Sequence, residues 1–349
     1  MAKLGWGVIG AGGIADRRTI PEGIVPAKNA KLVAVMTPHA EKAAALGAKY
    51  GVKSYDNIKD LLADPAVQAV YIASPNDQHK AQAIAAAKAG KHVFCEKPLA
   101  LNAKDAAAML SACEKAGVKL GVGFMMRYNA AHQQIKKLID KGGLGKIVFA
   151  RAQLTCWYPQ MPGAWRQDPK CGGGGAIMDL AVHCIDLLEM LLGPVAEVGG
   201  YIETRVQNYK SDDANALLLK FANGAIGFVD CAFCIPDEAS ENVLEIQGSK
   251  GCVKAKMTIG QGPAGDVQVC TIGKASGYSA AQQRDSGKYA AIELSKFRNT
   301  YLAEIEDFSK AVLNGTEPPI SGAAGLHSMR VVEAAMKAAK TGKVQKVSA

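Results

Sequence analysis

At 349 residues the chain exceeds one ordinary domain and suits two of roughly 100–200 residues each. Hydrophobic residues at 49% and charged residues at 21% can supply a core and exclude a disordered composition. The net charge of +9 is spread out, without the aromatic-interleaved basic stripe of a nucleic-acid binder, which leaves solubility and attraction for anionic small molecules.

Nine cysteines, an odd number, argue against a disulfide framework and for a reducing compartment. No signal segment opens the chain, and no apolar run approaches the ~20 residues of a membrane span. The expected location is the cytoplasm, with no nucleic-acid or membrane partner.

Residues 5–9 read as a strand running into Gly10-Ala11-Gly12-Gly13-Ile14-Ala15, which is G-x-G-x-x-A between a strand and a helix. Gly10 permits the tight turn, Gly12 lets backbone approach a pyrophosphate, and Ala15 lets helix and strand pack closely. Gly10, Gly12, Gly13 and Ile14 are therefore dinucleotide-binding candidates. Pro21 in the following helix predicts a kink or restart.

Residues 31–36 form the second strand. At its end an NAD-binding chain usually has an acid for the ribose hydroxyls, but here Thr37-Pro38-His39 stands, and the nearest acid is Glu41. Thr37, His39 and Lys42 can offer hydroxyl, imidazole and ammonium donors to a 2′-phosphate, so NADP(H) is favoured and NAD(H) is not forbidden.

Helices from about residues 40 and 57, a strand at 69–72 and an Ala-rich helix at 78–89 imply a parallel sheet with right-handed crossovers. Ser74-Pro75-Asn76 caps the Ala-rich helix and puts a hydroxyl and an amide on the sheet's carboxyl edge. His79, one turn in, is either a cofactor neighbour or a solvated helix residue. Residues 93–95 read as a buried strand followed by Glu96-Lys97-Pro98. Pro98 cannot donate to a ladder and turns the chain out of the sheet. The Lys97 ammonium thus emerges at the edge where open parallel sheets bind ligands. A sixth strand at 119–123 exits through Arg127 and Tyr128, and a dinucleotide domain spans residues 1–127.

In residues 128–349 the pattern changes. After a helix around 130–140, period-two alternation marks strands at 147–155, 195–206, 214–221, 225–233, 243–247 and 252–258, with a weaker candidate at 267–272. Loop 157–175, rich in Trp, Tyr, Pro and Gly, leads into a helix at 176–192 and is expected to choose the substrate. Helices near 297–313 and 325–340 close the chain, and the last can pack back on the first domain. The fold class is α/β: a doubly wound parallel sheet plus a second α/β domain with a large, mostly antiparallel, open-faced sheet. Cys231-x-x-Cys234 sits in a strand where odd offsets face opposite sides, so packing is expected there and no metal.

Asp179 and His183, four apart, share a helix face, with Asp186 a turn further on. A carboxylate can fix an imidazole's tautomer, and histidine is the side chain that accepts a proton near neutral pH. The run Gly172–Gly175 lets this helix start close to another backbone or a ligand.

Together the strand-flanked glycine turn, Ser74-Pro75-Asn76 with His79, residues 90–98 through Glu96-Lys97-Pro98, and Gly173-Gly174-Gly175-Ala176 through Asp179 and His183 resemble the glucose-fructose oxidoreductase, inositol dehydrogenase and MocA family. The resemblance covers nearly the whole chain. It implies a Rossmann domain, a second domain on a large antiparallel sheet, and nicotinamide redox chemistry on a sugar or cyclitol carbon. By it Lys97, Asp179 and His183 are the catalytic residues, Trp165-Arg166 and Tyr301 lie near the cofactor's nicotinamide end, and Glu96 belongs with the cofactor site.

The chemistry agrees. A neutral His183 can take the hydroxyl proton while Lys97 stabilises the developing alkoxide, with Asp179 holding substrate hydroxyls and the imidazole. Arg127, Tyr128 and Tyr158 are further substrate-pocket candidates. A small polyhydroxylated substrate and a homodimer or homotetramer assembled through the open sheet are the expected partners. A redox-silent dinucleotide-binding regulator and a glycosidase using nicotinamide transiently are the alternatives.

Overall fold

A computed structural model describes residues 2–262, 265–273, 280, 287–292, 294 and 298–348. Leu4–Ile9 (β1) is buried at every position, as a strand covered on both faces must be. It sits mid-sheet with Ala30–Met36 (β2), Lys53–Tyr55 (β3), Ala69–Ile72 (β4), His92–Cys95 (β5) and Leu120–Val122 (β6). All the pairings are parallel, in the order β3-β2-β1-β4-β5-β6. The strand order reverses between β1 and β4, and this switch opens the crevice where such sheets take ligands. The connections include a π-helix (Ala15–Ile24), α1 (Ala40–Tyr50), α2 (Ile58–Ala63), α3 (Asn76–Lys88) and α4 (Ala103–Lys115).

Two local expectations are corrected, and one short strand joins the first sheet unforeseen. Pro21 does not restart its helix, which runs unbroken as a π-helix from Ala15 to Ile24. In a helix bonded five residues back, its missing N–H would have served Asp16 O, and the Tyr50 hydroxyl donates to that carbonyl instead, at 3.2 Å. β3, mostly exposed, carries no apolar signal and had no counterpart in the sequence reading. Residues 74–76 supply no side-chain cap to α3: Asn76 is itself helical and buried, and its Nδ2 donates to Gly172 O at 2.9 Å.

After α5 (Ala130–Asp140) the second sheet begins with β7 (Ile147–Thr155). The chain then passes through the short α6 (Pro169–Gly172), a π-turn (Ile177–Ala181) and α7 (Val182–Leu192). It continues through β8 (Val195–Glu203), β9 (Ala214–Phe221), β10 (Ile226–Ala232), β11 (Leu244–Gly248), β12 (Gly251–Lys256), β13 (Asp266–Thr271) and β14 (Ala290–Ala291). Strand order is β14-β13-β12-β11-β7-β10-β9-β8-β15, where β15 is Gln345–Lys346, and the β7–β10 pair is parallel within an otherwise antiparallel sheet. The weaker strand candidate is thus real, and the strand read to residue 206 ends at Glu203.

One face of this sheet packs against helices. The other leaves Tyr201, Leu218 and Ile226 exposed around an Arg151–Asp230 ion pair at 2.9 Å. Cys231 is buried, its Sγ 3.8 Å from Cys184 Sγ, whereas the Cys234 thiol points to Asp213 O. All nine cysteines are free.

The closing helices are α8 (Thr300–Leu313) and α9 (Gly322–Thr341). Phe297, where the first was expected to begin, lies outside the described residues. α8 returns to the first sheet: Phe308 meets Trp6 and Phe94 at ring-centroid distances of 5.4 and 5.2 Å, and Trp6 Nε1 donates to Ser309 Oγ at 3.1 Å. The main apolar core runs without a break from Val70 and Val93 of the first sheet to Leu217 and Leu244 of the second, with α7 and α9 packed between the two sheets. Among the described residues, no helix is long and apolar enough to cross a membrane.

Candidate active site

The carboxyl edge of the first sheet is drawn tight around Gly10. Its φ is +76°, and a Cβ there would lie 2.6 Å from Ser74 N, so only glycine lets the β1 turn meet the β4 loop. Around Gly13 (φ +54°) an added Cβ would meet nothing within 4 Å, and around Gly12 only the Lys42 side chain, whose Nζ would lie 2.8 Å away. Open backbone at Gly12 and Gly13, with Ile14 on the adjoining cavity wall, fits the approach of a dinucleotide's phosphates. Thr37 is buried at the end of β2, while His39 and Lys42 are exposed where α1 begins.

His79 is no solvated helix residue. It is fully buried, with one ring nitrogen 3.0 Å from Pro98 O and the other 3.0 Å from Ser74 O, and it ties the loop after β4 to the loop after β5. Burial lowers its pKa, so a neutral ring donates to one carbonyl at a time. Ser74 Oγ donates to Gln82 at 2.6 Å. The Tyr71 hydroxyl bonds to Glu96 and lies 2.9 Å from Thr19 Oγ1, which anchors the base of the Lys97 loop. Burial pushes the Glu96 carboxyl up.

Lys97, mostly buried, points Nζ at Asp179 Oδ1 (2.7 Å) and at Asp179 O (2.9 Å). Arg166 Nε stands 3.1 Å from the same Oδ1, an ion pair without hydrogen-bond alignment, and its guanidinium lies 4.2 Å over the Trp165 ring. Burial alone would raise Asp179, but Arg166 and Lys97 hold its carboxyl far below the usual range. Asp179 is therefore spoken for by two cations and does not orient the imidazole, as the helical spacing had suggested. His183 Nδ1 is buried without a hydrogen-bond partner, and the ring packs edge-on to Phe124 with centroids 6.4 Å apart. Burial, then the nearby Lys97 charge, drives the His183 pKa well down, which leaves the imidazole neutral at physiological pH.

These groups line one cavity of about 490 Å³ with Ser74, Asn76, His79, Glu96, Trp165, Arg166 and Tyr301. Loop 157–175 contributes only its Trp165-Arg166 turn. The facing wall, unforeseen from the sequence, comes from the second sheet: Thr155, Asp237, Ser240, Asn242, Met257 and Gln261. Thr155 N donates to Asn242 Oδ1 at 2.8 Å and Thr155 Oγ1 to Ser240 Oγ at 2.9 Å. Asn242 (φ +47°) and Met257 (φ +57°) are the non-glycine residues with positive φ among the described residues, and both stand on this wall. Strain of this kind concentrates where side chains must be aimed at a ligand.

The remaining pocket candidates lie outside the lining. Arg127 grips Asp186 through two nitrogens at 2.6–3.0 Å, a buried ion pair in which burial still pushes the Asp186 carboxyl up to about 6. Tyr128 is half-buried beside Asp307 and Glu304. Tyr158 packs at a tilt on Phe233, with centroids 4.8 Å apart, and lies beside Arg166, one step behind the cavity.

Known proteins agree with this architecture. Residues 4–124 match the family described as "Oxidoreductase family, NAD-binding Rossmann fold", and residues 132–254 match the GFO/IDH/MocA C-terminal domain. The chain is 31% identical over 345 residues to 1,5-anhydro-D-fructose reductase of Ensifer adhaerens, covering 98% of each chain. It is 29% identical to myo-inositol 2-dehydrogenase of Thermotoga maritima, covering 95% of each. A solved structure of the aldose-aldose oxidoreductase of Caulobacter crescentus complexed with glycerol superposes with a TM-score of 0.88 at 28% identity, over 99% of each chain. With both matched regions in order and relatives aligned end to end, the chain belongs to the GFO/IDH/MocA family of oxidoreductases.

Proposed function

We propose that the protein is an NADP(H)-preferring dehydrogenase or reductase acting on a secondary alcohol or ketone carbon of a sugar, sugar derivative or cyclitol. One observation carries the reading: a neutral, unpartnered His183 and a Lys97 ammonium held by Asp179 open into the same cavity at the carboxyl edge of the first sheet. Bound nicotinamide supplies the hydride acceptor or donor. His183 takes the hydroxyl proton in oxidation and returns it in reduction, Lys97 stabilises the negative charge developing on oxygen, and Asp179 fixes the lysine. The 1,5-anhydro-D-fructose reductase and myo-inositol 2-dehydrogenase relatives support the substrate class.

The cofactor preference rests on Thr37 where an acid would repel a 2′-phosphate, and on Lys42 standing over Gly12. Glycine turn, Ser74, Asn76, His79, Glu96, Trp165, Arg166 and Tyr301 form the cofactor side in this reading. Nicotinamide absorbance with a panel of anhydro-sugars, aldoses and inositols tests it: net cofactor conversion on one of them is expected. Turnover without net conversion would favour the glycosidase alternative, and no turnover the silent regulator. The exposed Tyr201, Leu218 and Ile226 favour a homodimer or homotetramer through the open sheet, so a monomeric mass by light scattering would count against that assembly.

A further inference from the structure

The helix bearing Asp179 and His183 starts with backbone donors that its own turns cannot satisfy. One residue of the second sheet's border takes three of them in succession. Gly175 N donates to Asp212 Oδ1 at 2.6 Å, Ala176 N to Asp212 O at 3.0 Å, and Ile177 N to Asp212 Oδ2 at 2.8 Å. A Cβ on Gly175 would lie 1.8 Å from Asp212 O, and one on Gly174 would lie 3.2 Å from Asp212 Oδ1. Gly175, which closes the glycine run, is the imprint of this contact. Asp213, next in the chain, turns the other way and accepts from Arg205, Val206 and Gln207 N at 2.7–2.8 Å. Adjacent acids of similar bonding thus hold different segments, and only one of them holds the helix that reaches the cavity.

We propose that Asp212 is a positioning residue for hydride transfer: it fixes the start of this helix and thereby sets Asp179 and His183 against Lys97. The proposal rests on the functional reading above. Asp179 lies in the helix's first turn, where it meets Lys97 Nζ at 2.7 Å and Arg166 at 3.1 Å, and His183 follows one turn later on the same face. A helix start that slips by about 1 Å moves both groups together, a displacement able to cost on the order of 10²-fold in rate. Cofactor affinity should not follow, because the glycine turn and the β2 end lie on the first sheet, away from Asp212.

The test compares Asp212→Asn, Asp212→Glu and Asp213→Asn in the full chain, with 1,5-anhydro-D-fructose and NADPH as the probe pair. It reads kcat, NADPH Kd and amide exchange of residues 175–179. Asp212→Asn should lower kcat by roughly 10²-fold, keep the NADPH Kd within about twofold, and speed exchange at 175–179. Asp212→Glu keeps both acceptors but adds a methylene, and should lower kcat by about tenfold; it decides the matter if the Asn variant does not fold. Asp213→Asn should speed exchange at 205–207 while leaving kcat and residues 175–179 near wild type. Equal kcat losses from the Asp212 and Asp213 variants would overturn the proposal, as would wild-type kcat in the Asp212 variants. A wild type that turns over neither this probe nor its relatives overturns the functional reading instead; unchanged exchange at 175–179 in Asp212→Asn then overturns the positioning link.

Discussion

The two walls of the cavity are built on opposite principles. On the side of β5 and the Asp179 helix, charges are paired and buried: Lys97, Asp179 and Arg166 form one linked cluster with a neutral His183 beside it. Across from them Thr155, Ser240 and Asn242 are uncharged and hold one another by hydroxyl and amide bonds, on backbone that includes two positive-φ residues. A fixed field of paired charge suits one reaction repeated on many molecules, and a largely neutral polar wall, with Asp237 as its carboxylate, suits the choice among polyhydroxylated molecules. In our reading the first wall performs the chemistry and the second selects what receives it.

Removing the groups proposed to carry the reaction should have the largest effect. Lys97→Ala and His183→Ala are each expected to lower kcat by ~10²–10⁴-fold while the NADPH Kd stays near wild type, since most cofactor affinity lies at the phosphates. Steady-state kinetics beside fluorescence titration checks this, and near-wild-type turnover by His183→Ala would sink the base assignment. Arg127→Ala should act on stability instead. It leaves Asp186 buried and unpaired, a loss of roughly 3–5 kcal/mol read by urea denaturation, whereas a raised KM at unchanged stability would return Arg127 to the pocket.

Thr37→Asp should move the NADP-to-NAD ratio of kcat/KM toward NAD by about tenfold or more, through repulsion of a 2′-phosphate. A wild type that already prefers NAD, with an unchanged ratio in the variant, would mean that this position was misread. Smallest of all, Gln261→Ala on the neutral wall should alter KM among anhydro-sugars, aldoses and inositols by up to about tenfold and leave kcat nearly alone. A kcat loss as large as that of Lys97→Ala would erase the distinction between the walls.

The charged wall was legible because local spacing writes it. Lys97 follows a buried strand before a proline, Asp179 and His183 fall four apart on a helix, and Gly10 needs its positive φ. The neutral wall was not legible, because Thr155, Asn242 and Gln261 come together only when β7, β11 and the segment after β12 are laid side by side. Asp212 left no sign of its own; its imprint is Gly175, at the end of a glycine run that read as room for a ligand as readily as for a backbone. Pairing also overrides proximity in sequence. Asp179 turns to Lys97 and Arg166 rather than to His183, and Asp186 draws Arg127 out of the pocket, since a buried carboxylate must find a cation. Most strands of both sheets were legible from apolar runs and period-two alternation, but β3, β14 and β15 were not, since strands of two or three mostly exposed residues leave no pattern to follow.

The central claim, that neutral His183 is the proton acceptor, is tested most directly by the pH dependence of kcat/KM for alcohol oxidation in wild type and in His183→Asn. Burial and Lys97 depress the His183 pKa, so the group stays neutral, and active as a base, down through pH ~6.5. Asp179, held far lower, adds no titration in that window. The account expects a wild-type acid limb with its midpoint below pH ~6.5 and a plateau above it, and in His183→Asn no limb beyond that of Asp212, whose carboxyl burial pushes up to about 6. An acid limb of the same midpoint in both proteins that persists when Asp212→Asn is added to each would assign the proton to another group and contradict it.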